Sequence, residues 1–338
     1  MNIREITEEQ SWNTFISSQK PNTFLQSWQW GQVQRRDGDG ARYLGLFEHD
    51  QQVAAALVVV VHARRGNFYL IPHGPIVTSH TRYADVVKAL VTFLKETAPQ
   101  DKAVCIRIAP LIETSTSSAQ LFQDLGFTSA PMHVHAELTW VLDIRGNEES
   151  ILAGMRKTAR HAVKKGEPLI QVDIETSLKG LDRFWPLYEA TKSRHQFVPF
   201  SYKFIKSQVE EFGKTNHVFI PIASYEGNDV AAAIMFQFGQ TVFYYHGASQ
   251  KLPSNIPAAH VLHWHAIREA KKRGATTYNF WGIAPEGQSN HPFAGITVFK
   301  KGFGGHAIDY MHAQDLPLSW KYWKLWLVET GRKLKRGF

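Results

Sequence analysis

The chain has 338 residues, of which 43% are hydrophobic and 20% charged. This composition excludes a globally disordered chain, and the length exceeds the ~250–300 residues at which a single core stops growing, so two domains are expected. Lysine and arginine exceed aspartate and glutamate by 38 − 30 = 8 residues, which favours a polyanionic partner such as nucleic acid, anionic lipid or a phosphorylated substrate. No apolar run reaches the ~18–20 residues of a membrane-spanning helix, and no signal peptide is recognisable, so we expect a cytoplasmic or peripheral protein.

The first notable stretch is RRDGDG, residues 35–40. It matches R-x-x-G-x-G, the pyrophosphate loop of acetyl-CoA-dependent acetyltransferases. Such a loop follows a strand and opens a helix, so that free amide groups face the phosphate. Here the predicted strand ARYLGLF comes after it instead. We therefore interpret residues 35–40 as a turn.

Two segments share one order of elements. Residues 43–77 and 218–250 both contain a strand, a polar turn, a Val-Ala-Ala-Ala strand, a second turn and an aromatic strand with His-Gly. An amphipathic helix follows each, at 82–98 and 258–274, and then a short apolar strand. This order is typical of the acetyltransferase-like (GNAT) fold. We predict an α/β (α+β) protein with two GNAT-like domains in tandem and a C-terminal helix.

The predicted domains are residues 1–142, completed by a C-terminal helix over 313–338, and residues 143–312. Segment 143–166 looks like the link, with one helix of about twenty residues closed by Gly166. One face of that helix is basic, through Arg156, Arg160 and Lys164 at i, i+4 spacing, with Lys157 and Lys165 beside them. Two interpretations are open, a solvated face or a contact with a phosphate backbone.

Cysteine and histidine patterns predict neither a disulfide nor a metal site. Cys105 lies in the apolar run AVCIRI, which indicates a buried strand thiol rather than a nucleophile. His260 and His263 share one face of a predicted helix, but no third donor follows at the spacing that zinc requires. We expect no bound metal.

The stretch FAGITVFKKGFGG, residues 293–305, places Lys300 and Lys301 between aromatic residues and glycines. Lysines usually lie on a solvated helix face, so the setting is unusual. The pair fits a phosphate cradle, a surface turn, or a cation held beside a reacting carbonyl.

The tail, residues 315–338, carries an aromatic stripe at helical spacing. It consists of Trp320, Trp323, Trp326 and Leu327, with lysines and arginines around it. Such a helix suits an anionic membrane surface, and equally suits packing against the body of the protein.

Five stretches resemble the successive motifs of the FemABX family, in the same order and over nearly the whole chain. They are FLQSWQWGQV (24–33), MRKTARHAVKKG (155–166), FYYHGAS (243–249), LHWHAIREAKKRGATTYNFWGI (262–283) and GITVFKKGFGG (295–305). Members are non-ribosomal peptidyltransferases that attach amino acids from aminoacyl-tRNA to a peptidoglycan precursor. The resemblance implies a compact member without the coiled-coil arm that some carry.

The resemblance implies an aminoacyltransferase of interpeptide bridge formation, located in the cytoplasm or on the inner face of the plasma membrane. Its donor would be aminoacyl-tRNA and its acceptor the stem-peptide amine of lipid II or UDP-MurNAc-pentapeptide, with no cofactor. An aminoacyl ester is already activated, so the enzyme needs to align the amine and stabilise the oxyanion. By the resemblance, Phe299 and Lys300 form the motif whose lysine supplies that donor, and Lys301 meets phosphate or solvent.

Further roles follow from the same resemblance. Tyr245 matches the tyrosine that contacts the phosphosugar end of the acceptor, and Trp30 matches the aromatic residue of the N-terminal motif. The basic face at 156–165 would bind tRNA. The chain departs from the family where Gln34 replaces a lysine and where Phe200 replaces the second arginine after Arg194. Both family residues grip the acceptor diphosphate, and the candidates to replace them are Arg35, Arg36, Lys203 and Lys206.

Two other functions stay open at this point. One is an acetyl-CoA-dependent N-acyltransferase on the same fold. The other is a non-catalytic paralogue that binds tRNA or membranes.

Overall fold

The computed structural model describes residues 1–195, 198–253, 255–288, 291 and 293–336. The chain divides into two compact units. Unit 1 comprises Met1–Glu137 and Asp309–Phe338, and unit 2 comprises Leu138–Ile308. Among the described residues, no helix combines the length and the apolar character needed to cross a bilayer.

Unit 1 is built on one eight-stranded sheet. Its strands are β1 (Asn2–Glu5), β2 (Gly40–Glu48), β3 (Gln51–Val61), β4 (Asn67–Pro72), β5 (Ile76–Val77), β6 (Ala103–Ala109), β7 (Thr128–Ser129) and β15 (Gln314–Pro317). The sheet order is β1-β2-β3-β4-β6-β15-β7, with β5 paired to β3. Strand β3 is buried without interruption from Val53 to Val60, which explains its continuous apolar sequence, since both faces are covered.

The helices of unit 1 are α1 (Glu9–Ser18), α2 (Trp28–Asp37), α3 (Tyr83–Asp101), α4 (Thr116–Asp124) and α11 (Tyr322–Arg336). Helix α3 buries Val86, Val87, Leu90 and Leu94 at i, i+3 and i+4 spacing in the core against the sheet. Strand β15 pairs antiparallel with β6, so the end of the chain completes this sheet.

Unit 2 is built on a seven-stranded sheet in the order β14-β8-β13-β12-β11-β10-β9. Its strands are β8 (Leu138–Asp143), β9 (Gln171–Glu175), β10 (Val218–Tyr225), β11 (Asn228–Phe238), β12 (Thr241–Ser249), β13 (Thr277–Gly282) and β14 (His306–Asp309). Its helices are α5 (Glu148–Gly154), α6 (Lys157–Gly166), α7 (Leu178–His195), α8 (Tyr202–Gly213), α9 (Ala258–Lys272) and α10 (Ala294–Lys301).

The predicted repeat is confirmed. In unit 1 the antiparallel strands β2, β3 and β4 are followed by α3 and then by β6, which runs parallel to β4. In unit 2 the antiparallel strands β10, β11 and β12 are followed by α9 and then by β13, which runs parallel to β12. The fold is therefore mixed α and β, with two GNAT-like units and a C-terminal helix, as the sequence predicts.

The domain limits differ slightly from the expected ones. Residues 138–142 were expected in the first domain, but they lie on β8, which pairs with β13 in the sheet of unit 2. At the other end, residues 309–312 belong to unit 1, where the Tyr310 amide donates to the Glu137 carbonyl oxygen at 2.9 Å.

The prediction of a single long helix between residues 143 and 166 is wrong. Helix α5 ends at Gly154 and α6 begins at Lys157, because Met155 and Arg156 have extended backbones with ψ of 150° and 145°. Met155 inserts its side chain into the core, and the Arg156 amide donates to the Gly302 carbonyl oxygen at 2.9 Å. Both contacts are tertiary, so no local pattern announces the break.

Two interpretations of the sequence are confirmed: residues 35–40 contain a turn, and Cys105 is a buried strand thiol. Residues 35–40 end α2 through Gly38, whose φ of 104° is left-handed, and lead into β2. The amides of Gly38 and Asp39 donate to helix carbonyl oxygens at 3.2 and 3.0 Å, so they are not free for a phosphate. Cys105 is buried on β6, and burial raises the pKa of its thiol.

Candidate active site

The site is founded on an irregularity at the end of β13. The register of β13 against β8 shifts between Asn279 and Gly282. Within that shift Trp281 has a φ of 64°, which is uncommon for a bulky residue, and its amide donates to the Asn279 side-chain oxygen at 2.7 Å. A bulge of this kind redirects backbone groups, and such bulges are frequent near active sites. Here it presents the Gly282 carbonyl oxygen to the lysine of α10.

Helix α10 is fixed to the residues that follow β13. The hydroxyl of Thr297 accepts a hydrogen bond from the Ala284 amide at 2.7 Å and donates to the Phe293 carbonyl oxygen at 2.7 Å. One turn later, Lys300 is only 5% exposed. Its Nζ donates to the Gly282 carbonyl oxygen at 2.6 Å and lies 5.5 Å from the centroid of the Tyr244 ring. Lys300 is thus buried and held in one place rather than solvated.

Phe299 packs among aromatic rings on α9 and just after the end of α10. Its ring centroid lies 4.9 Å from that of His260, 5.4 Å from that of His263 and 5.3 Å from that of Phe303. Lys300 is therefore buried in unit 2, and half-buried Phe299 packs against the core of that unit. The cluster restricts the backbone of α10 at the point where the lysine emerges.

The histidines of α9 belong to this environment, which the sequence did not indicate. His263 is buried, and its Nδ1 lies 2.8 Å from the Tyr278 hydroxyl. The spacing of His260 and His263 predicts that they share one helix face, but it does not predict whether that face is buried or exposed. What they contact is decided by tertiary packing.

Burial governs the electrostatics of the cluster. Removal from water lowers the pKa of Lys300 from 10.5 to about 7. Burial, with a smaller contribution from the neighbouring Lys300 charge, lowers the pKa of His263 to about 3. Burial raises the pKa of Tyr244 to about 12. Lys300 is thus a cation in a low-dielectric setting that exchanges its proton near neutrality, a property common among catalytic lysines.

Lys301 has a different environment. Its Nζ lies 5.4 Å from the centroid of the Trp140 ring, which is a cation–π distance. The Trp140 indole in turn donates to the Gly304 carbonyl oxygen at 2.7 Å. Lys301 is half-buried. The two adjacent lysines therefore have separate surroundings, as the sequence interpretation assumed.

Tyr245 is connected to the site through Trp281. Its ring centroid lies 5.5 Å from that of Trp281 and 4.6 Å from that of His246. Trp281 immediately precedes Gly282, whose carbonyl oxygen holds Lys300. The rings of Tyr245, His246 and Trp281 thus form an aromatic wall, and Trp281 connects this wall along the chain to the carbonyl partner of the predicted catalytic lysine. Its substrate contact itself stays a prediction.

Arg194 lies near the end of α7, Phe200 lies just before α8, and Lys203 lies on α8. The Arg194 guanidinium donates to the Ser249 carbonyl oxygen at 3.0 Å and to its hydroxyl at 3.2 Å. Phe200, found where the family has an arginine, lies 5.4 Å from His246 between ring centroids. Lys203 is exposed in the first turn of α8. Phe200 therefore packs on the aromatic wall instead of supplying a charge.

The residues predicted in unit 1 lie on α2. Trp30 is 3% exposed and packs edge-on against Phe24 at 5.5 Å between centroids, so it is a core residue. Arg35 donates to the Ala41 carbonyl oxygen at 2.6 Å. Gln34 is half-buried, and Arg35 and Arg36 are exposed in the last turn of the helix. Their contacts with substrate stay predictions.

The basic face survives on the shorter helix α6. Lys157, Lys164 and Lys165 are exposed, and exposed Arg156 occupies the N-cap position of the helix. Arg160 differs, because its guanidinium donates to the carbonyl oxygen of Ala153 at 3.1 Å and so satisfies the end of α5. The bond from the Arg156 amide to Gly302 places this basic face next to the end of α10.

Within the described part of the chain, no three histidine, cysteine, aspartate or glutamate side chains come together as metal ligands would. The site is made of one buried cation, backbone carbonyl groups and aromatic rings. These groups can position a substrate and stabilise negative charge.

Comparison with known proteins agrees with this arrangement. A model of the FemAB family matches residues 7–229 and 222–329. The lipid II:glycine glycyltransferase of Staphylococcus aureus is 21% identical over 418 aligned positions, covering 97% of this chain and 98% of the relative. The aminoacyltransferase FemA of Staphylococcus epidermidis is 27% identical over 95 residues, 28% of this chain, and that match spans only 22% of FemA.

Solved structures show the same fold. A crystal structure of FemX matches with a TM-score of 0.85 at 17% identity, covering 96% of this chain and 99% of that one. A tandem GNAT protein from the clavulanic acid pathway matches with a TM-score of 0.52 at 10% identity, covering 83% and 84%. The fold and site thus define a tandem GNAT-like protein with a buried lysine beside a strand bulge. The chain belongs to the FemAB family.

Proposed function

We propose that this protein is an aminoacyltransferase that moves an amino acid from aminoacyl-tRNA to the stem-peptide amine of a peptidoglycan precursor. The observation that carries the proposal is Lys300. A buried ammonium, fixed by the Gly282 carbonyl oxygen and adjoining a basic helix, is what transfer from a polyanionic ester donor needs. The names of the relatives, an aminoacyltransferase and a lipid II:glycine glycyltransferase, support the same class of reaction.

The transfer reaction requires the protein to position the two substrates and to stabilise the negative charge that develops on the carbonyl oxygen. The acceptor amine attacks the ester carbonyl, a C–N bond forms, the C–O ester bond breaks, and the terminal ribose hydroxyl of the tRNA leaves with a proton. Negative charge develops on the carbonyl oxygen between these steps. The ammonium of Lys300 has further N–H groups besides the one given to Gly282, and these stabilise that oxyanion. No cofactor or metal is part of this proposal.

The donor site is proposed from helix α6. Its exposed lysines and Arg156 lie next to the end of α10, so a phosphate backbone bound there would bring its terminal ester toward Lys300. An acetyl-CoA donor is less well supported. The R-x-x-G-x-G stretch ends a helix and uses its amides internally, whereas pyrophosphate binding needs free amides at a helix start.

The acceptor is proposed to be lipid II or its soluble precursor UDP-MurNAc-pentapeptide. Tyr245 is the residue assigned to the phosphosugar end, since it shares the aromatic wall with Trp281. Phe200 supplies no charge to a diphosphate, so Arg194 and Lys203 are proposed to do so in this unit. Arg35 and Arg36 on α2 are the corresponding candidates in unit 1.

The proposal is tested by incubating purified protein with radiolabelled aminoacyl-tRNAs and each of the two precursors. Label in the precursor, dependent on tRNA charging and insensitive to acetyl-CoA, is the expected result. Lys300→Met is the matched negative control, since it removes only the ammonium. Acetylation of an amine by acetyl-CoA, with no transfer from any aminoacyl-tRNA, would instead assign the protein to the N-acyltransferases.

A further inference from the structure

The C-terminal helix α11 presents a face that the fold leaves uncovered. Trp320, in the turn before the helix, is 78% exposed, and Trp323, Leu327 and Leu334 are 55%, 64% and 80% exposed. At about 3.6 residues per turn these four positions fall on one side of the helix. Large apolar side chains exposed together on one side of a helix are typical of a surface that contacts another molecule or a membrane. We call it the tryptophan stripe.

The opposite side of the same helix is fixed to unit 1. Tyr322 and Leu325 are fully buried. Glu329, 2% exposed, accepts a hydrogen bond from Arg107 at 2.7 Å and pairs with Arg65 at 3.0 Å. The core-packing explanation of the aromatic stripe is therefore wrong for Trp320, Trp323 and Leu327, because other residues carry the packing. Half-buried Trp326 lies at the boundary between the two sides.

The charges around the stripe have one sign. From Leu318 to Lys335 the acidic residue is Glu329, which is buried. The exposed charged side chains of this segment are Lys321, Lys324, Arg332, Lys333 and Lys335. Arg64 is exposed on the loop that brings Arg65 to Glu329, and adds a further positive charge beside the helix.

We propose that the tryptophan stripe docks this protein on an anionic lipid surface. Tryptophans and leucines with flanking lysines form the pattern of a helix lying in the membrane interface, with the apolar groups among the acyl chains and the cations at the head groups. A second copy docked through the same face would oppose lysine to lysine. A nucleic acid would satisfy the cations but leave Leu327 and Leu334 without an apolar environment.

Docking is independent of the transfer reaction, so it is measured without substrates. If transfer also occurs, the docked protein stands at the surface that carries a lipid-linked acceptor. A failed docking test would leave the proposed transfer intact, with the soluble precursor as its acceptor. A failed transfer assay would leave docking intact.

The experiment is co-sedimentation of the full chain with vesicles of phosphatidylglycerol and phosphatidylcholine, against vesicles of phosphatidylcholine alone. We expect binding to the anionic vesicles that weakens with added salt. The double variant Trp320→Ser, Trp323→Ser should bind them about tenfold or more weakly. Lys321→Glu with Lys324→Glu should do the same. The matched charge control is Lys88→Glu with Lys95→Glu on α3, two exposed lysines whose reversal should leave more of the binding intact.

Truncation of the tail is a poor test, because it also removes Tyr322, Leu325 and Glu329 from the core. If the double tryptophan variant proves unstable, Leu327→Gln with Leu334→Gln replaces it, since both positions are exposed. Equal binding to neutral and anionic vesicles, or unchanged binding in both stripe variants, overturns the proposal. The proposal is also overturned if light scattering shows that the wild-type protein is a dimer and that the stripe variants are monomers, because a second copy would then cover the stripe.

Discussion

At the scale of single residues, Lys300 carries the most specific consequence of this structure. Its burial and its bond to the Gly282 carbonyl oxygen hold its ammonium, when protonated, in one place. Lys300→Met removes that cation and keeps the apolar packing of the stem. Turnover should fall by roughly 10²–10³, the effect of removing one oxyanion donor, with little change in the binding of either substrate. Single-turnover transfer from aminoacyl-tRNA measures the rate, and filter binding measures the affinity for the substrate.

The adjacent residue is the control. Lys301→Met loses a cation over Trp140 rather than one at the reacting centre, so it should affect binding more than the rate. Phe299→Ala should show part of the Lys300 defect, because Phe299 packs between the α9 histidines and fixes the helix. Near-normal rates in all three variants would remove Lys300 from the mechanism.

The lowered pKa of Lys300 has a second consequence, for stability. The folded group loses its proton at about pH 7, whereas the unfolded chain keeps it to about 10.5. Between these values the unfolded state binds more protons, so the free energy of unfolding rises with pH. The burial cost is present in full below pH 7 and disappears above about 10.5. In the folded protein, the pKa values of the neighbouring His260 and His263 are lowered and lie below this window, and the pKa of Tyr244 is raised to about 12 and lies above it.

We therefore expect wild-type protein to gain stability relative to Lys300→Met as the pH rises from 7 to 10. The comparison cancels groups common to both proteins. Urea unfolding of the two at pH 7, 8 and 9 measures the change. A constant difference across this range would mean that the lysine is hydrated in the folded protein.

The sequence predicts the residues of this site where a motif contains them, but it does not predict their tertiary contacts. The motif predicts Lys300 and Phe299, and the structure places the Lys300 ammonium over the Tyr244 ring on β12. The carbonyl partner could not be predicted, since it depends on a bulge with Trp281 in a left-handed conformation. That bulge arises where β13 changes register against β8, a strand more than a hundred residues earlier in the chain.

At the scale of elements, the basic helix α6 makes the next test. Lys157→Glu with Lys164→Glu should weaken tRNA binding and lower the slope of its salt dependence by about two, because each lysine contact with phosphate contributes about one. Arg160 is left unchanged, since it satisfies the end of α5 and its loss would disturb the fold. Binding titrations at several salt concentrations give the slope.

The control for this test has the same geometry. Lys88→Glu with Lys95→Glu changes the net charge equally, at two exposed helix positions with the same seven-residue spacing, on α3. It should reduce affinity slightly and leave the slope nearly unchanged. Equal effects of the two variants would mean that overall charge, and not this helix, attracts the nucleic acid.

The elements themselves were predictable where their signals are local. Alternating strands, polar turns and amphipathic helices repeat in both halves, and both halves fold as that repeat implies. Gly166 shows where local reasoning stops. It ends α6 as expected, but a Cβ there would lie 2.6 Å from Val261 and 2.8 Å from Pro257, so the glycine is required for close packing against the start of α9.

At the scale of the whole molecule, the last residues of the chain complete the first unit. Arg107 on β6 donates to both carboxylate oxygens of Asp315 on β15, at 2.6 and 2.7 Å, and to Glu329 on α11 at 2.7 Å. All three side chains are buried. The sequence suggested that the tail returns to the first domain, but not this cluster, since Arg107 and Asp315 are 208 residues apart.

Arg107→Met should therefore destabilise unit 1 by about 3–5 kcal/mol, because it leaves the buried Asp315 carboxylate without a cation and Glu329 with Arg65 alone. The control is Arg145→Met, which breaks an ion pair with Asp143 whose side chains are 74% and 52% exposed, and should cost about 1 kcal/mol or less. Urea unfolding compares the two variants, and hydrogen exchange locates the effect. Amides of β6 and β15 should exchange faster in Arg107→Met, while those of β12 and β13 keep their protection. Equal costs for the two substitutions would mean that water reaches the cluster, and that the tail is held by its apolar contacts alone.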